Sequence, residues 1–283
     1  MNNSNRLYRY RTLSDNLNMV FDFVGEHWRK YFKMMIYFLL PFSVLLGATI
    51  ATFYKDDILS MSDTAIIASV ALSIVGCAVV TALVILLVKW YETHDATLDD
   101  CDIGTMWRML PRVALKCLGI IVLWMPLIAL ALLTIIIPIL GLLVVFAILP
   151  VFLVCPIMLL ESGNSLLGAN KRAFSIGYKK WGTLILIAVV MGLVSLLINN
   201  AVTFPLGIFT AVESMLRETP SESVLGAFFM DVVRYILCVA ECFMIFVEIG
   251  LFVLAMTYHY GSVVTEVEDF GLESDIDNFA NLK

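Results

Sequence analysis

The sequence predicts an all-α integral membrane protein with six transmembrane helices arranged as three hairpins, accompanied by amphipathic interfacial helices. Three observations predict it. The 44 residues Cys117–Leu160 hold no charged residue, no histidine and no side-chain amide, and Thr134 is their only hydroxyl. One helix of that length measures about 66 Å, roughly twice the hydrocarbon core of a bilayer, so the stretch reads as two spans. Composition agrees, with 61% hydrophobic and 15% charged residues, against about 45–50% and 25% in soluble domains. Charge is also segregated: 15 of the 18 lysines and arginines fall in the stretches that this layout puts on one side.

Residues 1–33 form a basic segment carrying Arg6, Arg9, Arg11, Arg29, Lys30 and Lys33. The first long apolar run begins only at Met34, too far behind the basic start for a secretory signal. Between them Leu17, Val20, Phe21, Val24 and Trp28 recur at helical spacing, with Asn18, Asp22, Glu26 and Arg29 facing away. This predicts an amphipathic helix, capped near Ser14 or Asp15, that lies in the membrane interface or packs on the protein's own helices.

The membrane domain is predicted over 34–258, with spans at about 34–53, 65–90, 117–137, 139–160, 183–203 and 232–258. Pro41 kinks the first span. In the second, Ser69, Ser73, Gly76 and Cys77 offer a small-residue packing face, and Trp90-Tyr91 an interface anchor. Pro138 and Gly141 make the turn between spans three and four, which Pro126, Pro150 and Pro156 bend. A further amphipathic helix, capped by Asn164 or Ser165, has Leu166, Leu167, Ala173, Phe174 and Trp181 on its apolar side and Lys171, Arg172, Lys179 and Lys180 along a basic flank. Span five stops near Pro205, and the mixed stretch after it is read as surface. The tail, 259–283, is acidic and read as flexible.

By the positive-inside rule both termini are cytoplasmic, an even number of spans fits, and the location is the cytoplasmic (inner) membrane. The loops of the other side hold only Lys55 and Arg217, and Arg234 sits just inside the last span. Three times a basic or amphipathic stretch leads into a pair of spans: "FDFVGEHW", "GTMWRMLPRVALK" and "FSIGYKKW". The first and third place Phe and Trp seven residues apart, which reads as an internal repeat; basic cytoplasmic loops with aromatics are the simpler alternative. The run "ESGNSLLGANKRAFSIGYKKWGTLILI", Glu161–Ile187, resembles the helix-then-span pattern of the membrane domain attached to some bacterial glycerophosphodiester phosphodiesterases, and its stand-alone relatives. The resemblance implies a shared architecture. It implies no phosphodiesterase activity, because the chain carries no such soluble domain.

The sharpest chemical feature is the series Arg234, Glu241 and Glu248, seven residues apart and so close to one helical face. An intramembrane carboxylate is costly unless paired, hydrated or protonated. The functional reading is a proton- or cation-handling pair. The structural one is a polar seam in which the carboxylates meet Asn199, Asn200, Ser195 or Thr203 of span five, or Arg234 itself. Cys238 and Cys242 beside Glu241, and Glu92, His94 and Asp95 in "YETHD", lack the companions a metal site needs, so no metal and no cofactor is expected. His259 reads as an interface anchor. The six cysteines show no disulfide framework.

No Ser-His-Asp set, phosphate loop or zinc-protease motif is present, and an enzyme is not expected. Lys171, Arg172, Lys179 and Lys180 are the candidates for lipid-headgroup contact. The function expected is a non-catalytic accessory or scaffold subunit of a membrane assembly, contacting lipid or partner proteins through its cytoplasmic amphipathic helices. The alternative is a small-solute or ion transporter using Glu241 and Glu248. The partners are the lipid bilayer and either other membrane proteins or further copies of the chain; with the net charge of −6 so segregated, nucleic acid is not expected.

Overall fold

A computed structural model describes residues 7–55, 63–94, 97–134, 148–161, 163–217 and 224–268. Among them all regular structure is helical: α1 (Leu13–Lys55), α2 (Asp63–Thr93), α3 (Ile103–Thr134), a 3-10 turn (Leu149–Leu153) running into α4 (Val154–Leu160), α5 (Leu166–Lys179), α6 (Trp181–Arg217) and α7 (Val224–Glu268). Five helices, α1, α2, α3, α6 and α7, are long and apolar enough to cross a membrane. Their length and apolarity fit a membrane protein. The predicted turn at Pro138 and Gly141 lies outside the described residues, as does most of the first half of the predicted fourth span. The remainder of that span is the short apolar piece Leu149–Leu160.

The packing centre is α7, not the Cys117–Leu160 stretch that dominates the sequence by its length. Helix α7 packs on α1, α2, α4 and α6. Beside it, α2 is buried at every position from Val80 to Val88, because α1, α3 and α7 surround it. An apolar helix with so little amphipathic asymmetry belongs in such a place. At the crossing of α1 and α7, Gly47 brings two backbones together. A Cβ on Gly47 would stand 2.8 Å from the Val239 Cα, a distance that small residues at helix crossings exist to permit.

Several boundaries differ from the sequence expectation. The amphipathic stretch and the first span form one helix, α1, bent at His27, where φ is −115° and ψ is 21°. Its cap is Thr12: Asp15 accepts from the Thr12 hydroxyl at 2.7 Å, and the Asp15 N–H points back to that hydroxyl at 3.3 Å. This is a capping box shifted by two residues from the predicted start. The face it buries is Asn16, Val20, Phe23 and Tyr31, whereas Phe21 and Trp28 are exposed. Phe23 reaches the rings of Tyr91 and Tyr258 edge-on, at 5.2 and 6.3 Å, so the helix packs on the protein through one face and leaves its large aromatics outside.

Helix α6 runs through Pro205 to Arg217 instead of stopping. A proline removes one backbone hydrogen bond and crowds one turn, which a helix survives when flanking turns are held by packing. Helix α7 begins before and ends after the predicted span. Its last turns, Gly261–Val264, are buried, so the start of the expected tail is helix. Residues 269–283 lie outside the described residues.

Candidate functional site

Two polar regions stand out. The first is the seam between α6 and α7, at the end of the bundle where α6 finishes and α7 begins. Arg234 is 2% exposed and Glu213 5%. The guanidinium grips the carboxylate with two donors, Nε to Oε2 at 3.1 Å and Nη2 to Oε1, and its Nη1 donates to Asp231 at 2.8 Å. Arg234 thus has two acidic partners, neither of which was among its predicted ones. The sequence reads Glu213 into a surface stretch because Pro205 reads as a helix end. The continuation of α6 carries it two turns further, onto Arg234.

Glu241, one heptad along, accepts from the Thr203 hydroxyl at 3.4 Å, and that hydroxyl also donates to Asn199 at 2.8 Å. Glu241 thus meets Thr203 across the seam. Asn200 turns back to the Leu196 carbonyl at 2.6 Å and is exposed. Glu248 is different. It is 9% exposed and its Oε1 has no hydrogen-bond partner. It lines a cavity of about 440 Å³ walled by α2, α3, the 3-10 turn, α4, α6 and α7. Ser195 lines the same cavity, whereas Glu241 does not. Along the helix Glu248 lies about 21 Å from Arg234 and about 18 Å from Tyr260 at the other end. It therefore sits near the middle of α7, and the expected carboxylate pair is divided between a seam and a cavity.

The second region is the opposite, basic end, where the N-terminal segment, α5 and the end of α7 meet. The Arg11 main chain bonds Ser262 from both sides, N–H to Oγ at 2.9 Å and Oγ to the carbonyl at 3.2 Å. The Arg11 guanidinium donates to the Leu7 carbonyl at 3.0 Å and lies 5.5 Å from the Tyr258 ring. Burial pulls its pKa below the ordinary value, and burial raises that of the Tyr8 phenol, with the Tyr260 hydroxyl opposing. Glu161 gathers Arg172 at 2.7 Å, the Asn164 amide and the Tyr260 hydroxyl. Ser165 caps α5, accepting from Gly168 N–H at 3.1 Å.

The predicted headgroup residues divide in the same way. Arg172 is on Glu161 and Lys180 pairs with Glu266, while Lys171 and Lys179 are exposed. Helix α5 buries its small residues, Ala169, Ala173 and Gly177, along with Ile176, and shows Leu167, Tyr178 and, just beyond it, Trp181. Trp28 and Trp107 are exposed at this end too. His259 is not an interface anchor. It is 2% exposed and faces a polar pocket with Asn16, and neither its Nδ1 nor the Asn16 amide has a partner.

Cys101, at the same end, is buried, which pushes its thiol up to about 11 against the opposing charge of Lys30. All six cysteines are free. Among the described residues no group of three or more His, Cys, Asp or Glu is placed to hold a metal ion. His94 stacks on Trp90 with 3.8 Å between ring centroids.

Among the described residues the fold and site define a class: an all-helical protein with five helices long and apolar enough to cross a membrane, a polar seam between α6 and α7, a cavity lined by Glu248 and a basic, aromatic end. Comparison with family models, curated proteins and solved structures finds no match.

Proposed function

We propose that the protein is a non-catalytic accessory or scaffold subunit of a cytoplasmic-membrane assembly, working through its basic end. In this reading the chain crosses the membrane six times as three hairpins, with both ends cytoplasmic. The architecture is that of the membrane domain which Glu161–Ile187 resembles. The observation that carries the reading is the exposed side of α5. There Lys171 and Lys179 stand beside Leu167, which is 80% exposed, Tyr178 and Trp181. Cations set among apolar and aromatic groups suit the headgroup layer, at about 1 kcal/mol per basic residue near an anionic surface. The internal pairing of Arg172 and Lys180 supports it further, since those two cations hold α5 and the start of α6 in place while their neighbours face outward.

Native mass spectrometry of the protein extracted gently from its own membrane tests this. The expected result is a defined mass containing other subunits and retained anionic lipid, with the lipid reduced in Lys171→Glu/Lys179→Glu. A lone chain or a pure homo-oligomer overturns the accessory reading.

One observation favours a second reading, a small-solute or ion carrier: the Glu248 carboxylate stands near the middle of α7 in a cavity, where ionisable residues are costly and usually functional. A carrier should lose flux in liposomes on Glu248→Gln while its melting curve is kept. Unchanged flux in a folded variant removes that reading.

A further inference from the structure

We infer that the cavity at Glu248 binds a lipophilic monocation, a molecule with one positive charge spread over an apolar, largely aromatic body. The inference starts from a carboxylate in a place that does not suit it. Among the described residues that line the cavity Glu248 is the one charged group, and its Oε1 has no partner. Among the described residues no lysine or arginine lines the walls. The nearby hydroxyl of Thr81 already donates to the Cys77 carbonyl at 2.7 Å. A buried carboxylate in these surroundings must be protonated or find a counter-charge from outside the chain.

The walls choose the kind of counter-charge. A small inorganic cation needs several oxygen ligands to replace its water, and one carboxylate with two hydroxyls among apolar side chains does not supply them. A cation whose charge is spread over a large apolar body gives up little hydration and fills the space with dispersion contacts. About 440 Å³ is enough for a body of several rings. Trp124, Phe152 and Phe252 add aromatic surface for the charge, with Phe152 and Phe252 already edge-on at 4.9 Å. The approach is from the lipid side, because Phe152, Gly192 and Ile245 are the exposed part of the lining. Binding of this kind needs no translocation, and it stands whether or not the protein is an accessory subunit or a carrier.

The test is equilibrium binding of radiolabelled tetraphenylphosphonium to the purified full chain in detergent. The expected result is saturable binding at one site per chain. Glu248→Gln should weaken it at least tenfold, with circular dichroism and the melting curve matching the parent. Glu241→Gln should leave it unchanged, since Glu241 is outside the cavity. Gly192→Leu provides an arm that does not touch the carboxylate. A Cβ there meets nothing within 4 Å, so the helix accepts it, and the longer side chain stands at the cavity mouth and should weaken binding. Absence of saturable binding by the parent overturns the inference, as does parental affinity in folded Glu248→Gln. If Glu248→Gln fails to fold, parental affinity in Gly192→Leu overturns it instead.

Discussion

Replacing Arg234 by alanine is expected to destabilise the protein by about 3–5 kcal/mol, the range for removing one partner of a buried ion pair. The large value comes from what is left behind. Glu213, 5% exposed, would keep its position facing α7 without the guanidinium that now donates to both of its oxygens. Asp231 loses a donor as well. Replacing both members of the pair, Arg234→Met with Glu213→Leu, should recover most of the loss, because the cost lies in an uncompensated charge rather than in the missing attraction. Melting curves of the three proteins in one detergent decide it. If the single and double variants melt alike, the pair is not what holds α6 to α7.

Gly47→Leu is expected to be the most damaging change to packing. The side chain would be built into the backbone of α7 at Val239, which cannot swing aside as a flexible side chain can. Overpacking typically costs about 1–3 kcal/mol, and a backbone collision belongs at or beyond the upper end. Gly25 in the same helix is the control, since a Cβ there meets nothing within 4 Å. Gly25→Ala should raise stability by up to about 1 kcal/mol through helix propensity alone. A melting temperature that rises for both glycine variants would mean that α1 and α7 do not cross at Gly47.

The parts of the fold that depend on length and apolarity were readable, because a run of apolar residues can satisfy its backbone in lipid only as a helix. That logic finds α2 and α7 without reference to any neighbour. It fails where a neighbour decides. Helical spacing puts Phe21 and Trp28 on the apolar face of α1 but does not say whether that face meets the membrane interface or the protein, and the contacts with Tyr91 and Tyr258 belong to Phe23. Pro205 looked like an end because a proline usually is one, and this hid Glu213 from its partner. The missing signal was present in principle: a buried arginine needs an acid, and Glu213 was the acid at the right distance had α6 been continued. The face shared by Arg234, Glu241 and Glu248 was legible from spacing. That Glu241 would meet Thr203 and Glu248 a cavity was not, since spacing along one helix says nothing about the shape of what it faces.

The first helix and the last are each other's most extensive neighbours, and the segment before α1 is fastened to the end of α7 through Arg11 and Ser262, 251 positions apart. The order of synthesis therefore runs against the order of assembly. While the ribosome is still producing the middle of the chain, α1 waits in the bilayer with the Gly47 side uncovered and no Val239 to meet it. The bundle closes only when α7 emerges, and the joining of the two chain ends is a late step. A chain interrupted before Ser262 would keep the Gly47–Val239 crossing but lose the fastening of its N-terminal segment to the end of α7.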